Sequence, residues 1–258
     1  MKIPNYSAKE MMVICAARRI LNTDIVFCGT GISVLAAATA KHWHAPDCTI
    51  LFETGSVDSS LADLPLAVGD PRVMHRASAF CSLAETFAFL QNPKTARHVV
   101  GILGAAQIDQ YGNLNSTRIS GSASTDGVRL PGSGGACDMA SSAGRKIIFM
   151  KLEKRRFVEK LDYLTSPGWL GGSNTRETEG LPGPGPCHVI TDRGIMGFEE
   201  KSRSMQLLWY YPGERSEDLA KRTAFALNVE GAKEAQAPQK EELKVLREKA
   251  DPEKLILD

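Results

Sequence analysis

No apolar run in this 258-residue chain reaches the roughly 18–20 residues needed to span a bilayer. The start, MKIPNYSAKEMM, has one early Lys and lacks the apolar core of a signal peptide. Together these point to a cytoplasmic protein that does not enter a membrane. Charge of one sign is also missing: 31 Lys and Arg against 30 Asp and Glu give a net charge of +1. That balance, with no basic block and no RNA-binding aromatic motif, argues against nucleic acid as a partner. The six cysteines, Cys15, Cys28, Cys48, Cys81, Cys137 and Cys187, contain no C-x-x-C pair. Their scatter argues against zinc and against a disulfide framework, and most of them read as small buried hydrophobes.

The hydrophobic share of 43% is ordinary for a globular protein. Ser7-Ala8-Lys9-Glu10 is a capping box, and the periodicity after it predicts a helix to about residue 21. Residues 24–28 (DIVFC) read as a buried strand, Gly29-Thr30-Gly31 as a turn, and ISVLAAATAKHW as a helix. A second strand follows from position 49. This is a βαβ unit, so the two strands should be parallel. Further strands are expected at 98–103, 146–150, 187–191 and 205–210, and helices near 82–91, 136–144 and 215–223. The charged segment from 233 to 249 reads as an outer helix of the tail that ends at 258. No internal repeat is present. The fold class is therefore α/β, one domain over 1–258 with an open, mainly parallel sheet flanked by helices. Residues 166–186 are too rich in Gly and Pro for a long regular element, and read as a site loop, a subunit contact or a plain connection.

Three stretches carry chemistry-bearing patterns. In CTILFETGSV (48–57), Glu53 arrives where an apolar strand ends and Thr54-Gly55 turns the chain. It is either a solvated strand end or an acid aimed into a cleft. In CGTGIS (28–33), Gly29 and Gly31 match two of the three glycines of a dinucleotide fingerprint. Val34 replaces the third, and Glu53 stands at the distance of the ribose-binding acid. In LPGSGGACDMASSAG (130–144), Gly132, Gly134 and Gly135 form a flexible turn before a helix that starts near Ala136, and such a turn presents N–H groups that suit an oxyanion. A bland tight turn is the alternative. Gln107 and Asn115, flanking the DQYGN turn, could line a polar pocket or simply satisfy backbone groups. His42 and His44 form H-x-H without an accompanying acid or Cys cluster, so no metal site is read there. The cations of EKRRF (153–157) read as a solvated face or as a contact for the phosphates of a ligand. Cys28 and Cys137 lie beside glycine turns but have no His partner in sequence.

Six segments in order carry a family resemblance: HAPDCTILFETG, LPLAVGDPR, GAAQIDQYGNLNST, PGSGGACDMASS, KLEKRRFVEKLDYLTSPGWLGG and ITDRGIMGF. They span about 44–198. The chain resembles the β subunits of family I coenzyme A-transferases, and among them the glutaconate CoA-transferase type. The resemblance implies that Glu53 is the nucleophile and that Gly134 to Ala136 lie beside it as an oxyanion and CoA-binding element. It also implies an α subunit of related fold, with no bound cofactor and coenzyme A esters as substrates. Many relatives read S-E-N-G at the nucleophile and the glutaconate branch reads E-S-G. Phe52-Glu53-Thr54-Gly55 departs from both at Thr54. The implied reaction is ping-pong transfer of CoA to glutaconate or a similar dicarboxylate through a glutamyl-CoA thioester. Hydrolases, C–C lyases and decarboxylases acting on CoA esters share the fold, and a non-catalytic subunit or a nucleotide-binding module would be the readings from other classes.

Overall fold

A computed structural model describes residues 5–61, 63–121 and 126–257. The first four residues, read above for a leader, lie outside them, as does Asp258. The contacts divide the chain into two compact units, 1–103 with 236–258, and 104–235.

The first unit is built on a parallel core. Helix α1 (Ala8–Ala17) opens with the predicted capping box: Glu10 N–H donates to Ser7 Oγ, and Ser7 N–H to Glu10. It ends four residues before the predicted limit. Arg19 and Ile20 donate to Ala16 and Ala17, tightening the last turn into 3-10 geometry. Strand β1 (Ile25–Cys28) leads through the glycine turn into α2 (Ile32–Trp43), and the chain returns as β2 (Thr49–Leu51). β1 and β2 pair in parallel, as the βαβ pattern requires. β3 (Ser56–Val57) and β4 (Ala79–Phe80) add antiparallel strands beyond β2. Helices α3 (Leu83–Gln91) and α4 (Pro93–Ala96) lead to β5 (Val99–Gly104), parallel on the other side of β1. Strand order is β5-β1-β2-β3-β4.

The core strands read as continuous apolar runs because both faces are covered. Val26, Phe27, Ile50 and Val100 are all buried. The tail differs from the single helix expected over 233–249. Only Lys240–Val245 is α-helical, and a π-helical turn, Leu246–Ala250, extends it. Pro238 keeps the chain before it extended. The tail is anchored by Glu242, which accepts two hydrogen bonds from the Arg18 guanidinium, both 2.7 Å.

In the second unit, β6 (Gln107–Ile108) and β7 (Leu114–Asn115) form the hairpin predicted around DQYGN. β8 (Arg118–Ile119) and β9 (Val128–Arg129) form another. After α5 (Ala136–Ser142) comes β10 (Arg145–Met150), and short α6 (Thr175–Thr178) stands in the Gly/Pro-rich loop. β11 (His188–Thr191) pairs parallel with β10, then antiparallel with β12 (Gly194–Phe198), which pairs with β13 (Met205–Tyr210). Helix α7 (Ser216–Ala220) precedes β14 (Lys233–Glu234), which lies parallel to β13. The expected α/β class and open, parallel-cored sheet are present. β12 was not foreseen: its Gly-Ile-Met-Gly-Phe lacks the alternation of a half-buried strand. Among the described residues no helix is long and apolar enough to cross a membrane.

Candidate active site

Glu53 stands at the tip of the β2–β3 hairpin. Gly55 N–H donates to Phe52 O at 2.9 Å, closing a four-residue turn with Glu53 and Thr54 at its centre. Phe52 N–H donates to Ser56 O at 3.0 Å beneath it, and the Phe52 ring is fully buried. Burying that ring stabilises the hairpin root by about 2–3 kcal/mol. Gly55 has φ +95°, and a Cβ there would lie 1.8 Å from the Cys81 carbonyl oxygen. Cys81 N–H donates to Gly55 O at 2.8 Å, so a second backbone segment presses on the turn. Only glycine fits both the left-handed backbone and this close approach.

The Glu53 side chain is half-buried. Within its own unit, no described residue hydrogen-bonds or ion-pairs its carboxylate. An acid on a rigid turn with unspent oxygens is available for chemistry. A merely structural acid is commonly tied to a neighbour, as Asp70 is to Arg72 (2.6 Å) in the same unit.

The glycine turn before α5 is built from Ser116 and Ser133. Gly132 N–H donates to Ser116 O, and Ser116 Oγ donates back to Gly132 O at 2.8 Å. Ser133 accepts Ala136 N–H at its carbonyl (3.0 Å) and Cys137 N–H at its hydroxyl (3.1 Å). The Ala136 N–H is thus spent inside the turn. Gly134 and Gly135 retain N–H groups with no partner among the described residues of their unit. Their φ values, +50° then −80°, alternate in sign as in an anion-cradling nest.

The other sequence candidates have clear places. Gly29 and Gly31 form the β1–α2 turn, where Ser33 Oγ donates to Gly29 O at 2.9 Å. Space is open around both glycines. Gln107 and Asn115 face each other across β6–β7. Asn115 Nδ2 donates to Gln107 Oε1 at 2.7 Å, and Gln107 Nε2 to Asp162 at 2.8 Å. Asn115 Oδ1 accepts Thr117 N–H, so both amides are engaged in holding the hairpin. Burial pushes the Cys28 thiol up to about 12, with the nearby Cys48 adding to it, which leaves Cys28 an inert thiol. His44 Nε2 lies 2.9 Å from Ile20 O. No group of three His, Cys, Asp or Glu suited to a metal occurs among the described residues. Glu153 accepts hydrogen bonds from Arg155 and Arg156, a local cluster at the surface.

Two buried cations escaped the sequence reading. Arg176, 2% exposed, has no carboxylate partner among the described residues and donates to the carbonyls of Ala140, Ser141, Pro167, Gly168, Pro182 and Gly183. It fastens the Gly/Pro-rich loop to the last turn of α5. Lys146, 1% exposed, donates to Pro184 O in the same loop. Burial, with Arg176 nearby, lowers its pKa to about 7. No pattern in TRETEG or GRKIIFM separates these cations from surface charges.

Residues 9–221 match the family model described as coenzyme A transferase. The chain is 42% identical to the B-type subunit of glutaconate CoA-transferase from Acidaminococcus fermentans, over 96% of this chain and 94% of that one. It is 39% identical to the B-type subunit of 3-oxoadipate CoA-transferase from Pseudomonas knackmussii, over 94% and 92%. The crystal structure of the Acidaminococcus glutaconate CoA-transferase superposes with a TM-score of 0.93 at 40% identity, covering 100% of this chain and 99% of that one. The decarboxylase AibA/AibB superposes at 0.79 with 25% identity, covering 96% of each chain.

Proposed function

The chain belongs to the coenzyme A transferase family, and from that premise we propose that it is the B-type subunit of a heteromeric enzyme moving CoA between carboxylic acids. The observation that carries the reading is Glu53: a carboxylate on a turn fixed by Gly55 and Cys81, its oxygens not engaged within its unit.

The carboxylate attacks the thioester carbonyl of an acyl-CoA. The carbon–sulfur bond breaks, leaving an acyl-glutamyl anhydride and the CoA thiolate. The thiolate attacks the Glu53 carbonyl, forms an enzyme–CoA thioester and expels the first acid as carboxylate. A second acid reverses the steps. This covalent, ping-pong route conserves the thioester without ATP. Each attack passes through a tetrahedral oxyanion. Backbone N–H pairs of the kind formed by Gly134 and Gly135, which have no partner among the described residues of their own unit, are a form that suits an anion. The two CoA-transferases described above are named for glutaconate and 3-oxoadipate. Both are dicarboxylic acids, which supports a dicarboxylate as acceptor. The partner is an α-type subunit, and the pair is the active unit.

A thiol count tests the reading. The copurified pair is given glutaryl-CoA with acetate or glutaconate, and free CoA is followed with a thiol reagent. Transfer keeps total thioester constant while its acyl group changes. Release of one thiol per ester consumed would replace transfer with hydrolysis of the thioester.

A further inference from the structure

A cavity of about 480 Å³ opens in the first unit beside the C-terminal turn of α2. Lys41, His42, Asp58, Ser59, Arg76 and Lys249 are among its lining residues. Asp58 N–H donates to Ile50 O at 2.7 Å, so the cavity lies at the end of the β2–β3 hairpin away from the Glu53 turn. We infer that it binds a phosphate-bearing ligand, gripped by Arg76 and Lys249 beside the buried Ser59 hydroxyl.

The cations here are not evenly neutralised. Lys41 Nζ is held at 2.8 Å from Asp58 and 2.6 Å from Cys48 O, so that pair is internally balanced. Arg76 and Lys249 have no ion-pair partner among the described residues of their unit. Their sequence neighbours do: Arg72 is bound to Asp70, and Arg247 to Glu10 at 2.6 Å. Of the Lys and Arg residues that line the cavity, Arg76 and Lys249 are the two without an ion-pair partner among the described residues. Ser59 is 1% exposed, and its hydroxyl has no hydrogen-bond partner among the described residues. An orphaned buried hydroxyl at a cationic cavity is an unmet donor and acceptor.

The backbone is irregular at the same three places. Asp58 and Arg76 have φ of +53° and +50°, a region that non-glycine residues rarely occupy. Lys249 sits on the π-helical turn, a rare form that recurs at functional sites. Ser60 N–H donates to His75 O at 2.9 Å, locking the two walls that carry Asp58 and Arg76. Strain of this kind persists only where surrounding structure enforces it, and here it converges on one cavity. Burial lowers the His42 pKa, and Lys249 and Lys41 lower it further, which marks an electropositive interior. A guanidinium, an ammonium and hydroxyls suit a phosphate dianion.

Inorganic phosphate is titrated calorimetrically into the assembled enzyme against chloride at matched ionic strength. Saturable binding to one site per B-type chain is expected. Lys249→Gln should weaken it about tenfold, the loss of one charge-assisted contact. Arg76→Gly, which suits the left-handed backbone and removes the cation, should do the same. Lys94→Gln, at a remote surface cation, should change nothing. Competition then separates two sources of the phosphate. Displacement by CoA but not by 3′-dephospho-CoA assigns the site to the 3′-phosphate of CoA, and displacement by neither assigns it to an independent phosphate ester. Absence of saturable binding, or binding unchanged in both Lys249→Gln and Arg76→Gly, overturns the inference. The catalytic reading is tested apart from this one: Glu53→Gln leaves Arg76 and Lys249 in place and should bind phosphate as wild type does, whatever its transferase activity.

Discussion

The Glu53 turn and the Gly/Pro-rich loop at 166–186 are both glycine-punctuated segments, and they use their polar groups in opposite ways. At the turn, backbone bonds from Gly55, Phe52 and Cys81 fix the chain, while the acid's own oxygens stay unengaged. In the loop the side chains are turned inward. Arg176 reaches six carbonyls, Trp169 Nε1 donates to Pro186 O at 3.1 Å, and Arg203 stacks over the Trp169 ring at 4.2 Å. A loop dense in glycine and proline is here an internally bonded body. The plainer turn leaves the oxygens of its acid unengaged within its unit. Glycine content therefore marks unusual backbone, and only the accounting of polar groups separates a scaffold from a site.

Substitutions at the two places should separate cleanly. Glu53→Gln in the assembled enzyme should lower kcat by at least about 10⁴-fold, as removal of a covalent nucleophile does. Its stability should stay within about 0.5 kcal/mol of wild type, since no described partner in its unit is lost. Denaturant unfolding beside steady-state kinetics checks both halves. Equal loss of stability and activity would erase the distinction. In the loop, Arg176→Met should cost about 3–5 kcal/mol by chemical denaturation, because several buried carbonyls lose their donor together. Gly55→Ala should cost about 2–3 kcal/mol, since the Cys81 carbonyl and the left-handed backbone both oppose a Cβ. It should also reduce activity by displacing Glu53.

The smallest effect is a pH dependence. The folded pKa of Lys146, about 7, lies below its ordinary value of 10.5 because of burial. Between those values the unfolded chain holds the extra proton, so this residue makes stability rise with pH from about 7 to 10.5. That contribution is fully present above the unfolded pKa and lost as pH falls through 7. Lys146→Met should remove the rise, about 1 kcal/mol per pH unit in the difference from wild type. Unfolding curves at pH 7, 8 and 9 measure it.

Much of this was legible in the residues. The capping box at Ser7, the β1–α2–β2 unit and the DQYGN hairpin each rest on a local pattern, and each formed as read. The tail did not, because Pro238 and the pairing of Lys233 with Trp209 outweigh the helix propensity of its charged residues. Glu53 could be singled out because an acid interrupted an apolar strand before Thr-Gly. The need for glycine at position 55 could not, since the Cys81 backbone that demands it lies 26 residues away. Arg176 and Lys146 were illegible for the same reason: their carbonyl partners are tertiary. Which N–H groups of the 132–136 turn stay free also depended on the Ser133 bond to Ala136, a detail no spacing encodes.

The central claim is that Glu53 carries the CoA between the two half-reactions. Its most direct measurement is reduction of the assembled enzyme with borohydride after exposure to glutaryl-CoA, followed by peptide mass analysis. The enzyme–CoA thioester would be reduced to an alcohol, leaving a mass loss confined to the peptide HAPDCTILFETG. An unmodified Glu53 peptide, found while the CoA ester is consumed, would contradict the account.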